Sequence, residues 1–241
     1  MSTLNPDLIK SYMHSFYGYG NWKSNFWFVG IEEGGGGEIG NVTRRLDSWN
    51  QYKVDLLDNQ IHHSNIKLDC FFVKGQLQNT WRKLILTKLS FENKATDREC
   101  IRDVQKNDWG HLNSKNLLIE LFPLPSPNNT KWFYDKWTGL DVLRYRESYY
   151  DYITEERVNY IKNKISEYHP SVILFYGKKM GDNWDKIIGT KASEEILVGK
   201  SKIKFIRINN TCYFQSPHPA SVYSNKFWIE LGVKVRELLE S

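Results

Sequence analysis

The stretch Asn25-Phe26-Trp27-Phe28-Val29-Gly30-Ile31-Glu32-Glu33-Gly34 decides the fold class. Residues 25–31 form an unbroken apolar run, short enough for a strand buried on both faces and short for a core helix. Two carboxylates and the glycines at 34–37 then break it. Runs of the same kind recur at 116–122 and 171–176, and a pair at 203–208 and 211–215 flanks Asn209 and Asn210, which read as a hairpin turn or a simple break. Between these runs lie helical stripes: Leu8, Tyr12 and Phe16; Leu77, Trp81, Leu84, Ile85 and Leu89; Val158, Ile161, Ile165 and Tyr168; Trp228, Leu231, Val235 and Leu238. Residues 141–168 read as two helices, and Pro123, Pro125 and Pro127 as a turn. Short apolar strands alternating with amphipathic helices imply an α/β fold: a three-layer α/β/α domain around a central, mostly parallel four-stranded sheet. Ligands of such a sheet bind at the C-terminal ends of its strands.

A chain of 241 residues fits one domain over 1–241, and no repeat or long linker divides it. A charged fraction of 25% and a hydrophobic fraction of 40% exclude disordered and fibrous classes. The nine Trp, fourteen Tyr and twelve Phe are the excess, and aromatics beyond a core's needs stack on bases or fill interfaces. A net charge of +5 suits a polyanionic partner. With no apolar run of about 18 residues and no leader-like start, the expectation is a cytoplasmic protein that does not engage a membrane. Cys70, Cys100 and Cys212 are few and far apart, supporting neither a disulfide framework nor a metal cluster. His62 and His63 are adjacent and point apart, so no metal and no cofactor is expected.

Four segments follow the predicted strands: Gly30-Ile31-Glu32-Glu33-Gly34, Glu120-Leu121-Phe122-Pro123, Gly177-Lys178-Lys179 and Ser216-Pro217-His218-Pro219-Ala220-Ser221. In a parallel sheet they share one edge. Glu32, directly after a buried strand, suits a carboxylate that holds water or faces a developing cation. His218, stiffened by prolines on both sides, suits an imidazole donor to an oxyanion. Lys178 and Lys179, with Arg44, Arg45, Arg144 and Arg146, are candidate phosphate contacts. Residues 35–40 also match a dinucleotide fingerprint, which needs a helix starting inside it and an acid ending the next strand; Asp55 and Asp58 follow no predicted strand.

Taken in order, these segments resemble the motifs of the uracil-DNA glycosylase superfamily: a Gly-x-Asp/Asn-Pro-Gly/Tyr loop, an Asn-bearing second strand, a Gly-ended third strand and a His-Pro-Ser-Pro-like loop before the last helix. Gly30-Ile31-Glu32-Glu33-Gly34 takes the first place and His218-Pro219-Ala220-Ser221 the last, over roughly residues 25–240. The resemblance implies a monomeric, monofunctional DNA glycosylase that flips a base from DNA and hydrolyses the base–sugar bond, leaving an abasic site. It implies Glu32 and His218 as the catalytic pair, with Gly30, Ile31, Glu33, Gly34, Glu120, Phe122, Ser216 and Ser221 around the base. Lys178, Lys179, Val222 and Tyr223 would contact DNA, Val222 and Tyr223 as a wedge.

Two departures bear on the substrate. Glu33 replaces the usual Pro, and Glu120 stands where uracil-removing members carry an Asn. A carboxylate accepts from the exocyclic amine of cytosine, and a protonated one donates to its ring nitrogen, so both forms favour a cytosine-like base over uracil. Unmodified cytosine would be a dangerous target. The expected substrate is a hypermodified cytosine, as implied for phage-defence members that remove glucosylated hydroxymethylcytosine, with the glycines at 34–37 leaving room for the substituent. Uracil repair and a catalytically silent DNA-binding module are the alternatives. Trp49, Tyr52 and Phe122 remain open as the residue that stacks on the flipped base.

Overall fold

A computed structural model describes residues 3–128 and 130–240. In chain order the elements are α1 (Pro6–Ser15), β1 (Gly18–Gly20), β2 (Phe26–Gly34), α2 (Ile39–Asn50), β3 (Leu56–Leu57), α3 (Asn59–Asn65), α4 (Asn79–Phe91), α5 (Arg98–Asn107), β4 (Asn116–Ser126), α6 (Tyr134–Trp137), α7 (Arg146–Tyr168), β5 (Val172–Tyr176), α8 (Gly181–Ile188), β6 (Glu194–Val198), β7 (Ser201–Ile208), β8 (Thr211–Ser216) and α9 (Asn225–Glu240).

The fold is α/β, and its strands form one eight-stranded sheet in the order β3-β1-β4-β2-β5-β8-β7-β6. The four adjacent strands β4, β2, β5 and β8 run parallel, in registers such as Val29 opposite Ile119 and Phe175. These are the apolar runs of the sequence. The expectation of a four-stranded, mostly parallel sheet is corrected, because β1 joins β4 antiparallel and a β6–β7–β8 meander extends the other side. β1 and β6 carry no apolar run. β1 is three residues long and begins with Gly18, whose φ of +147° and missing Cβ let the backbone lie against the Leu118 carbonyl. β6 is an exposed edge with one buried residue, Val198.

Helices cover both faces. Phe26 and Phe28 meet Phe91 of α4 and Trp109, whereas Trp27 between them meets Trp22, which packs on Tyr160 of α7. This strict alternation of two apolar faces is why the run has no polar period.

Two further readings are corrected and one open alternative is decided. Pro123 and Pro125 lie inside β4, not in a turn; β1 pairs only Leu117–Ile119, so beyond Glu120 one side of β4 lacks a strand and a missing N–H breaks no ladder there. Residues 141–168 hold one long helix, α7, after a single 3₁₀ turn, and it ends where His169 turns left-handed at φ +48° before Pro170. Asn209 and Asn210 close a tight hairpin, with Ile208 opposite Thr211.

Candidate active site

The ends of β2, β4 and β5 and the loop after β8 border one cleft of about 800 Å³, within the range of roughly 300–1,000 Å³ typical of ligand pockets. Glu32, Glu33, Glu120 and His218 all line it.

Glu32 is held from α7: the Arg146 guanidinium donates to Oε2 at 2.6 Å and the Tyr150 hydroxyl to Oε1 at 2.6 Å. Burial raises its pKa above the ordinary carboxylate value, and Tyr150 and Arg146 hold that rise down. Arg146 also donates to Ser126 Oγ and to the carbonyls of Asn128 and Lys131, fixing the chain after β4. Glu33 is gripped separately, by Arg45 of α2 at 2.5 Å and by the Tyr19 hydroxyl at 2.9 Å. Burial works to raise its pKa, but the Arg45 charge and hydrogen bond, together with His63 and His62, outweigh that and hold it below the usual range.

Glu120 differs. It accepts one hydrogen bond on Oε1, from the Tyr176 hydroxyl at 2.7 Å, while its buried Oε2 has no partner among the described residues. Burial, reinforced by the charges of Glu33 and Glu32, pushes its pKa up to about 8 against the pull of Tyr176 and Arg157. Gly30 makes the seat: a Cβ there would lie 2.0 Å from Oε2 and 2.3 Å from the Tyr176 hydroxyl. A consequence for stability follows from the sign of the shift. An unfolded Glu120 ionises near 4.5 and the folded one near 8, so between these values the native state holds the extra proton. Its stabilisation is full below the lower value and is lost as pH rises, at about 1.4 kcal/mol per pH unit, levelling off above about 8. Urea unfolding from pH 5 to 9 should show this decline in wild type relative to Glu120→Gln; parallel curves would exclude it.

His218 is set by its own loop. The Ala220 N–H donates to Nδ1 at 3.0 Å, which leaves the proton of the neutral ring on Nε2. Burial lowers its pKa, and the Lys83 charge lowers it further. Lys83, on α4, donates to the carbonyls of Pro219 and Ser221 at 2.5 and 2.9 Å and so staples the loop. The result is an uncharged imidazole with one donor, positioned at rest.

Of the other expected base contacts, Ile31, Gly34 and Ser221 line the cleft, as does Lys179. Three assignments are corrected. Phe122 shares a face of β4 with Glu120 but is fully buried there, covered by the Tyr150 ring with centroids 4.0 Å apart. Ser216 is buried and donates to the Phe175 carbonyl at 3.2 Å. Gly30 acts beneath the cleft, through the space it leaves for Glu120. Among the stacking candidates, Trp49 is core and donates to the Val54 carbonyl, and Tyr52, though exposed, lies outside the cleft. The aromatic walls are instead Phe71, Trp81, Tyr176 and Tyr223. Tyr223 packs on Phe227 at 4.5 Å, whereas Val222 beside it is wholly exposed. The Lys178 side chain lies outside the described residues. Arg45 and Arg146, read as phosphate contacts, are buried partners of Glu33 and Glu32.

The glycine run is not a nucleotide loop. A helix does start inside it at Ile39, but β3 is an edge strand of two residues, and Asp58 after it caps α3 and pairs with His111. No group of three metal-ligating side chains converges among the described residues.

No protein-family model and no curated protein matches this chain.

Tyr150, Tyr176 and Lys83 were not foreseen as site residues, and Arg146 was foreseen only as a phosphate contact. Their signal was faint but present. Arg146 and Tyr150 stand four apart at the start of α7 and so share one helix face, and Tyr176 is the last residue of an apolar run that ends at a predicted site edge.

Proposed function

We propose that the protein is a monofunctional DNA glycosylase that flips out and excises a modified pyrimidine, best matched by a hypermodified cytosine such as glucosylated hydroxymethylcytosine, and leaves an abasic site. The observation that carries this reading is a buried carboxylate, Glu32, and a neutral, single-donor imidazole, His218, lining one cleft at the strand ends. Breaking a base–sugar bond builds positive charge on the sugar and negative charge on the base. Each oxygen of Glu32 keeps a lone pair beyond its bonds to Arg146 and Tyr150, so it can orient a water and face the cationic sugar. The Nε2 proton of His218 meets the charge on the departing base, and a neutral donor in a buried site stabilises it without giving the base a proton outright. Water then captures the sugar. No covalent intermediate is required, and Lys83 is committed to two carbonyls.

Val222 supports the DNA reading, because a fully exposed apolar side chain on the loop that carries the imidazole suits insertion where a base departs. Val222→Gly should slow excision from duplex about tenfold, equivalent to about 1.4 kcal/mol, and leave single-stranded substrate unaffected; equal slowing of both would remove the wedge role. The reading as a whole is tested with duplexes bearing uracil, hydroxymethylcytosine or glucosylated hydroxymethylcytosine, incubated with the protein and treated with alkali. The expected outcome is strand breakage at the modified cytosine that disappears in Glu32→Gln and His218→Ala. Absence of breaks with every substrate would overturn it.

A further inference from the structure

The group in the cleft with an unmet hydrogen-bonding need is Glu120. Its Oε1 is tied to the Tyr176 hydroxyl, its Oε2 is buried without a partner among the described residues, and Gly30 leaves the space that Oε2 and the Tyr176 hydroxyl occupy. Buried polar atoms are seldom left unsatisfied, and those at a binding site mark where a ligand supplies the missing bond. We infer that Glu120 acts as a neutral carboxylic acid that reads the amidine edge of an aminopyrimidine, with Oε2–H donating to the ring nitrogen and Oε1 accepting from the exocyclic amine. The inference rests on the proposed base-binding role of the cleft and names the device that selects the base.

The geometry gives each oxygen a defined job. Tyr176 donates to Oε1, which fixes the acid proton on Oε2 and leaves Oε1 one lone pair for an amine. An acid in that state offers a donor and an acceptor side by side, the complement of cytosine's ring nitrogen and amine. Uracil presents the reverse order, a ring N–H and a carbonyl, and so meets Oε2–H with its own N–H. The charged and titratable groups around Glu120 favour the neutral form: Glu32 and Glu33 on β2 repel a second charge, while Arg157 on α7 spends its guanidinium on backbone carbonyls, including that of Glu120 at 2.7 Å. Tyr176 on β5 stays protonated, its own pKa raised by burial and by Glu120, and the neutral His218 ring lies 5.7 Å from the Tyr176 ring. With Glu120 titrating near 8, the acid form prevails at neutral pH and fades above it.

Isothermal calorimetry of the full chain with the free bases 5-hydroxymethylcytosine and 5-hydroxymethyluracil tests this without requiring catalysis. At pH 6.5 the cytosine-type base should bind at least about tenfold tighter, the scale of one buried donor–donor mismatch. At pH 9 its affinity should fall about tenfold while that of the uracil-type base does not. These two measurements use the wild-type protein alone. Glu120→Gln carries a donor and an acceptor that can exchange places and cannot titrate, so it should bind both bases alike at both pH values. Equal affinities at pH 6.5, a preference unchanged at pH 9, or no binding of either base would overturn the inference. A preserved binding preference with no base released from DNA would overturn the glycosylase reading and leave the base-reading device standing.

Discussion

Glu32→Gln should fold normally and release base about a thousandfold more slowly than wild type, within the range of roughly 10²–10⁴ for a positioned acid–base group. The substitution keeps the shape of the side chain and the acceptor for Tyr150, but it turns an amide N–H₂ toward Arg146, where a carboxylate oxygen now accepts at 2.6 Å. Arg146 retains Ser126, Asn128 and Lys131, so the loop after β4 stays in place. What disappears is the negative charge facing the sugar and the basic oxygen that orients water. His218→Ala should cost roughly 10²–10³, the worth of one donor to a developing oxyanion. The two should not multiply in the double variant, since they act on opposite ends of one bond. Single-turnover release under saturating protein checks this, with thermal unfolding as the control for folding. A thousandfold loss accompanied by a large fall in melting temperature would assign Glu32 to structure instead.

Arg157→Leu should destabilise the fold by about 3–5 kcal/mol, the cost of breaking a buried charged network, against a total of roughly 5–15 kcal/mol for a domain. Arg157 is fully buried on α7 and donates to four carbonyls: Leu121 at 2.9 Å, Glu120 at 2.7 Å, Phe16 at 2.6 Å and Met13 at 3.3 Å. Its guanidinium also lies 3.7 Å from the centre of the Tyr17 ring. Leucine fills some of the volume and leaves all four carbonyls without that donor. Because two of them belong to β4 at the site, excision should weaken along with stability. The urea midpoint measures the effect; a loss below about 1 kcal/mol would mean that water or neighbouring groups replace the guanidinium.

The sequence exposes what repeats and hides what is solitary. The four parallel strands were legible because each must bury two faces and so is largely apolar, and the site edge followed from where those runs end. Glu32 and Glu120 were legible as polar residues inside otherwise apolar stretches of β2 and β4, and His218 as the polar residue between two prolines just beyond β8. β1, β3 and β6 were not, since strands of two to five residues are too short to show a period, and glycines in β1 and exposed glutamates in β6 blur it further. Phe122 was misplaced because sharing a strand face with a site residue does not say what covers the side chain, here the Tyr150 ring brought in by α7. Arg146 and Lys83 reach the site from helices far away in sequence, 114 residues from Glu32 and 136 from Pro219, and no local pattern encodes that meeting.

The small molecule released when the protein meets DNA containing glucosylated hydroxymethylcytosine tests the glycosylase reading most directly. Mass spectrometry of the low-molecular-weight fraction should find the intact modified base, in amounts equal to the abasic sites formed, and none from the Glu32→Gln protein. Free sugar without base, released nucleotides, or no product at all would contradict it.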